Sequence, residues 1–438
     1  MSRRYLPHRS PRAARVTRAI AALALAVAGS LHAGARDDFL GAERALKRGD
    51  TDRYEQLAAG LKDYPLYPYL RFASLKRRLG SASDAEIEAF LDAHSDTPLA
   101  ARIRRAWLER LAKRGRWQAY VRVYVPDDST ERRCQYLRAL IETGKTAQAL
   151  PRVEPLWLVG RSQPDACDPV FAAWREAGGL TADLAWGRIA LAMDAGRTRL
   201  ARYLGRFLPG TERAWLDRWL EVHERPSRVT GMGGLAADHP QRGPILAHAI
   251  ERLARRSPSA AADALDRLEE RHLLAPASAQ QAAVAVGLAL AEGGKVEGLD
   301  YLDRVPASAD NMAFQERRLR TALGLGAWPR VASWVDAMPD GEHKAEHWLY
   351  WQARALEALQ QPAAALELYA GAAGERSLWG FLSAERLRTP YRFDHRPTPV
   401  SEETLRRVKE GPAGRRIAEL YALDRALDMR RELYHLSL

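Results

Sequence analysis

Residues 181–196 read Thr-Ala-Asp-Leu-Ala-Trp-Gly-Arg-Ile-Ala-Leu-Ala-Met-Asp-Ala-Gly, and their spacing decides the fold. Ala182, Ala185, Trp186, Ile189 and Met193 fall on one stripe with a 3.6-residue period, which predicts an amphipathic helix. Thr181 stands where its hydroxyl caps the first turn, and Gly196 where a flexible residue ends the last. The same pattern recurs outward in both directions. In Ile245–Arg256, Leu246, Ala249, Ile250 and Leu253 are predicted to face inward, and Arg252, Arg255 and Arg256 to face water. Leu366, Tyr369, Ala370 and Ala373 predict a further stripe. Breakers such as Gly80, Gly115, Gly144, Gly160, Gly179, Gly196, Pro209, Pro258, Gly294, Pro306 and Pro339 separate the stripes at short intervals. Helices of roughly 10 to 18 residues joined by short turns are expected. The one strand-like run, Tyr120–Val125, is isolated and reads as a helix end with its exit loop.

The expected fold is therefore all-α, an α/α superhelical solenoid whose stability grows unit by unit. Trp348, Trp351 and Ala355 share one predicted face, and Ala365, Leu366 and Tyr369 follow on a second helix, loosely as in a tetratricopeptide pair. The period is irregular, so the array is degenerate rather than a clean repeat. Pro390, Pro397 and Pro399 prevent a continuous helix across 389–401, and Ser401 with Glu402 and Glu403 restarts one. The last stretch carries an apolar face of Ile417, Leu420, Tyr421, Leu423 and Leu427. Three segments result: 1–35, 36–388 and 389–438.

The first segment differs from the rest. Arg3, Arg4, Arg9, Arg12, Arg15 and Arg18 precede a small-residue apolar run from Ala19 to Gly29, followed by Ala33-Gly34-Ala35. This is the layout of an export signal, with cleavage expected after Ala33 or Ala35. Removing those six arginines halves the formal charge of +12. A mature charge near +6 in about 400 residues gives little support to a nucleic-acid protein. It remains compatible with an anionic polymer. After the leader, no apolar run approaches the roughly 18 residues that span a bilayer.

Chemistry-bearing motifs are sparse. His343-Lys344-Ala345-Glu346-His347 matches H-x-x-E-H, which on one helix sets two imidazoles beside a carboxylate, as a zinc peptidase requires. With no third ligand apparent, solvated residues at a helix start are the favoured reading. Gly231-Met232-Gly233-Gly234 and Gly324-Leu325-Gly326 lack the residues of a phosphate loop and read as turns. Carboxylates occur throughout the predicted exposed faces, so no acid/base pair stands out. The tryptophans, among them Trp157, Trp174, Trp215, Trp219, Trp348, Trp351 and Trp379, sit mainly at inward positions, where packing outweighs sugar stacking. The two cysteines, Cys134 and Cys167, read as a disulfide in an exported chain or as two buried thiols.

Three stretches resemble the N-terminal superhelical domain of soluble lytic murein transglycosylases. They are Gly60–Leu70 (Gly-Leu-Lys-Asp-Tyr-Pro-Leu-Tyr-Pro-Tyr-Leu); Trp157-Leu158 with Gly160 and 162–168, preceded by Cys134; and 348–381, from Trp348 through Tyr350-Trp351-Gln352-Ala353 to Trp379-Gly380-Phe381. The resemblance covers essentially the whole chain after the leader. It implies a ring- or doughnut-like array over 36–388, with 389–438 the Pro-rich connection and the opening of a linker domain. It also implies a disulfide between Cys134 and Cys167, periplasmic location, and peptidoglycan glycan strands as partner, with cell-wall enzymes as further partners. In the family a lysozyme-like domain cleaves the bond between N-acetylmuramic acid and N-acetylglucosamine, and one glutamate forms a 1,6-anhydromuramyl end. That glutamate lies in a Glu-Ser pair followed by Gly-Leu-Met-Gln, and neither occurs in these 438 residues. No catalytic residue is therefore assigned, the catalytic domain is expected to be absent, and the chain is expected to be inactive alone. Neither cofactor nor metal is called for. The rival readings are a periplasmic helical scaffold for protein partners, and a zinc peptidase using His343 and His347.

Overall fold

The chain caps its helices largely as the local sequence dictates. Thr181 accepts a hydrogen bond from the Leu184 amide, Ser83 from Glu86, Ser129 from Arg132, Ser377 from Gly380 and Ser401 from Thr404. Gly115, Gly144, Gly196 and Gly294 all adopt positive φ just past a helix end. The computed structural model describes residues 34–437, apart from 232, 236, 309, 310, 340, 342 and 343. The leader up to Ala33 and His343 lie outside the described residues. Among those described, secondary structure is helical throughout, with no strand. Tyr120–Val125 is the end of the helix Trp117–Val123 and its exit. No helix is long and apolar enough to cross a membrane.

The described residues form two units. The first holds the residues up to Arg152, Pro164–Val170 and Thr398 onward. Its core is centred on the helix Pro98–Lys113, which buries Leu99, Ile103, Trp107, Leu108 and Leu111 on one stripe. Phe39, Leu66, Leu70, Ile87 and Tyr120 pack around them. The Gly60–Leu70 stretch contributes Leu61, Tyr64, Leu66, Tyr69 and Leu70 to this core, and Pro68 opens the helix Tyr67–Arg77.

Two of those tyrosines explain how the last helices, Pro412–Ala422 and Ala426–Leu436, attach. The Tyr64 hydroxyl donates to Glu419 at 2.7 Å, and Arg36 grips the same carboxylate with Nε at 2.7 Å and Nη2 at 3.0 Å. The Tyr69 hydroxyl donates to Glu432 at 2.8 Å. Arg416 bonds the other oxygen of Glu432 at 2.9 Å, and reaches the carboxylate and carbonyl of Asp96, each at 2.8 Å. Arg425 joins Glu43 at 2.7 Å and Asp428 at 2.8 Å. Glu432 is fully buried and Arg416 is 3% exposed. Burial opposes the Arg416 charge, but Glu432 and Asp96 outweigh it and hold its pKa above the ordinary value. Burial first, then Glu432, pushes the Tyr69 hydroxyl up, so it remains a donor.

This arrangement corrects the face read for the terminal helices. Of the expected apolar stripe, Leu420 is buried, but Tyr421 is 76% exposed and Leu427 is also out. The docked side instead carries Arg416, Glu419, Leu420 and Glu432, with Met429 and Leu423 packed at its edge. A helix buries its charged side when every charge finds a bonded partner.

Cys134 and Cys167 form a disulfide, with Cα atoms 4.9 Å apart, and both are fully buried. It ties the helix Thr130–Glu142 to the 3₁₀ turn Asp165–Cys167.

The second unit holds Val153–Gln163 and Phe171–Pro397. Its helices follow one another as neighbouring pairs, such as Ala182–Asp194 with Thr198–Leu204 and Glu346–Ala358 with Pro362–Ala373. Small residues bring helices close: a Cβ on Gly287 would lie 2.7 Å from the Gly298 carbonyl, and one on Gly298 would lie 2.5 Å from that of Gly287. Only glycine fits either side of this crossing. Trp157 packs against Phe171, Trp174 and Phe207 at 5.2, 5.9 and 5.5 Å, with the Arg188 guanidinium 4.3 Å above its ring. Trp174, Trp215, Trp219 and Trp348 are likewise buried, while Trp351 and Trp379 are half-buried against one another. Two stripes shift from expectation. In Pro362–Ala373 the inward residues are Ala365, Leu368, Tyr369 and Ala372, and Leu366 is 51% exposed. Ala370 is also exposed and Ala373 only half-buried. The stripe is displaced because Tyr369, rather than Leu366, meets Tyr350 and donates to Glu357. Arg252 is half-buried rather than solvated, because its Nε donates to the His223 carbonyl at 2.6 Å.

Breaking the buried ion network should cost far more than its net worth. Glu432→Ala is expected to lower unfolding free energy by about 3–5 kcal/mol, because Arg416 loses a buried partner. A joint Arg416→Met, Glu432→Leu change should recover much of that loss in urea unfolding. Cys134→Ser with Cys167→Ser should cost about 3–4 kcal/mol for a loop of this length. The urea midpoint of the unmutated chain should drop to match on reduction.

Candidate functional site

A polar cleft lies in the second unit, where three helices leave a gap of about 650 Å³. The helix Pro276–Glu292 supplies Gln280, Val284 and Leu288 at helical spacing. Leu288 is buried and Val284 half-buried, so they form an apolar floor, while Gln280 and Gln281 stand exposed at the rim. Glu251 and Arg255 come from the helix Arg242–Ala254 and its end. Phe314 and Arg317 come from the helix Met312–Gly324, with Phe314 half-buried.

Amide groups and one aromatic face over an apolar floor, beside the charged Arg255 and Arg317, are groups able to hydrogen-bond and stack against a hydroxylated ligand. The carboxylates are already engaged. Glu251 accepts from Gln281 at 2.7 Å, and Glu292 pairs with Arg317 at 3.5 Å. Acid catalysis of a glycosidic bond needs a carboxyl in apolar surroundings, whereas both of these face solvent. None of the cleft's residues was singled out as a site residue from sequence, and Arg255 was read only as facing water, because glutamines and one phenylalanine on separate helices carry no local signature. Only helix packing brings them together.

The same unit holds a histidine pair. His223 Nδ1 lies 3.0 Å from His248 Nε2, with the rings stacked at 5.2 Å. Trp219 lies edge-on to His248 at 5.9 Å. Burial, followed by the charges of Arg252 and His248, pushes the His223 pKa down to about 4. The lowered pKa leaves His223 uncharged at neutral pH, packed against its neighbour; among the described residues no group of three or more potential ligands is clustered.

The motifs noted in the sequence fall elsewhere. Glu346 and His347 begin the helix Glu346–Ala358, where the His347 ring leans on Trp348 at 4.5 Å. Gly233–Leu235 is a 3₁₀ turn, and Gly326 ends a helix at φ +64°. Cys134 and Cys167 serve structure alone, joined to each other and sealed from solvent.

The class of protein that this defines is an all-helical array of stacked helix pairs, cross-linked by one disulfide. By sequence, the chain is 27% identical over 382 residues to the soluble lytic murein transglycosylase of Escherichia coli strain K12, covering 86% of this chain and 59% of that protein. The Salmonella typhimurium protein of the same name is 27% identical over 390 residues, covering 88% and 60%. Among solved structures, an inactive mutant of the lytic transglycosylase Slt from Pseudomonas aeruginosa matches with a TM-score of 0.79 at 33% identity, over 91% of this chain and 65% of that one. The 70-kDa soluble lytic transglycosylase of Escherichia coli matches with a TM-score of 0.77 at 26% identity, over 92% and 65%. The chain is homologous to the soluble lytic murein transglycosylases over most of its own length and shares their helical fold. It spans 59% to 65% of the length of these relatives. A family model described as Cucumovirus coat protein matches residues 102–222. That is little more than a quarter of the chain and assigns no function to it.

Protonation of His223 ties the histidine pair to pH. The unfolded group titrates near 6.5 and the folded one near 4, so the unfolded state binds more protons between these values. The contribution is complete above pH 6.5 and is lost as pH falls towards 4. His223→Gln should flatten the pH dependence of the melting temperature within that window, measured by circular dichroism.

Proposed function

We propose that this chain is the helical scaffold part of an exported peptidoglycan-processing protein. The observation that carries this reading is likeness to lytic transglycosylases across about nine-tenths of the chain, at up to 33% identity. Residues 1–35 act as the export signal, removed after Ala33 or Ala35, and the mature chain works in the periplasm. Residues 36–388 form the scaffold proper, and 389–438 the connection and start of a linker. The activity served is cleavage of the glycosidic bond between N-acetylmuramic acid and N-acetylglucosamine to 1,6-anhydromuramyl products. These 438 residues contain no Glu-Ser pair to carry the catalytic glutamate, so the scaffold binds and orients glycan strands and performs no cleavage itself. The cleft of Gln280, Gln281 and Phe314 supports this role, since its amides and ring suit acetamido sugars.

The purified chain should be retained on murein sacculi without releasing anhydromuropeptides, as read by sedimentation and chromatography. A joint Gln280→Ala, Phe314→Ala change should weaken retention by about threefold to tenfold. A chain that ignores sacculi yet captures periplasmic proteins would be a protein scaffold instead, and release of anhydromuropeptides would place a catalytic group within these residues.

A further inference from the structure

A second cleft in the same unit, about 520 Å³, is dominated by positive charge. Arg161, Arg197 and Arg199 line it, with Ser162 and Thr198 between them and Leu200 the one large apolar lining residue. All three arginines are exposed. Many arginines elsewhere pair with acids, as in Arg132 with Asp127, Arg304 with Glu269 and Arg386 with Glu357, while others, such as Arg256, stand alone on exposed faces rather than grouped on one cleft. Among the described residues, none of the three has a side-chain hydrogen bond or ion pair. Three unneutralised guanidinium groups on one cleft repel one another and attract anions.

The backbone holds them together. Gly160 lies so close to the helix Ala182–Asp194 that a Cβ there would sit 2.3 Å from the Leu191 carbonyl. The neighbouring Arg161 carbonyl accepts from the buried Arg188 guanidinium at 3.3 Å. Across the cleft, Gly196 at φ +67° reverses the chain, so Arg197 and Arg199 follow immediately. A loop at Arg161 and the start of the helix Thr198–Leu204, with Arg197 just before it and Arg199 in its first turn, therefore present the three charges.

Guanidinium forks match carboxylates in pairs of parallel hydrogen bonds. The volume exceeds that of a single carboxylate and admits a few residues of peptide, and the scarcity of apolar lining disfavours an apolar guest. We infer that this cleft binds the free carboxylates of an acidic peptide. Resting on the murein reading above, its occupant is the carboxylate-bearing peptide attached to glycan strands. The scaffold would then hold the polymer at two chemically different points, sugar at one cleft and peptide at the other.

Calorimetric titration of the purified chain tests this with a synthetic peptide, L-Ala-γ-D-Glu-meso-diaminopimelyl-D-Ala, against its fully amidated form and against inorganic phosphate. The free-acid peptide should bind, and amidation should abolish binding. Arg161→Gln, Arg197→Gln and Arg199→Gln together should weaken it at least about tenfold. The Arg199→Gln single variant should weaken it less, with an unchanged melting temperature, and secures the test if the triple variant misfolds. No binding, equal binding of the amidated peptide, unchanged affinity of the variants, or phosphate binding as tight as the peptide would overturn the assignment. Retention on glycan strands stripped of peptide is measured in parallel. Strand retention without peptide binding removes this site and leaves the murein reading standing, whereas peptide binding without strand retention does the reverse.

Discussion

The Arg416 guanidinium, held between Glu432 and Asp96 inside the first unit, is the contact on which the placing of the terminal helices depends. A charge removed from water is costly unless its partners are complete. Arg416 satisfies this with two acids and a backbone carbonyl. Tyr69 completes the same cluster from the far side of Glu432. Arg36, Tyr64 and Glu419 repeat the design one helix away. Residues more than 300 positions apart in sequence are thereby bonded in specific pairs, and the register of the last two helices is set by directional bonds rather than by apolar area.

That design accounts for the tyrosine-rich stretch at 60–70. Its rings fill the core while their hydroxyls point at carboxylates arriving from the end of the chain, a use suited to an apolar ring with one polar tip. It also accounts for the inverted face of the terminal helices. Had hydrophobicity alone ruled, Tyr421 and Leu427 would be buried. The paired charges win because the partners on the early helices are already in place to receive them.

The second unit works by a different rule. Its helices stack through small residues and aromatic nests, and its polar clefts arise in the gaps between neighbouring pairs. The amide-rimmed cleft and the arginine cleft differ in chemistry as a sugar backbone differs from its acidic peptide. A stack of helix pairs offers such gaps at intervals along its length, which suits an extended polymer better than a small molecule.

Sequence alone determined that the chain is helical, where most helices begin and stop, and which tryptophans are core, because these follow from period, caps and breakers within a single turn or two. Its two cysteines allowed a disulfide, and resemblance to a family indicated the pairing. The one-residue shift from Leu366, Ala370 and Ala373 to Ala365, Tyr369 and Ala372, the half-burial of Arg252 against a carbonyl, and the charged docking face of the last helices were decided by tertiary structure. The same holds for both clefts, whose residues come from separate helices or loops. In each case the deciding partner lies on another element, and side-chain periodicity carries no information about what a neighbouring helix will offer.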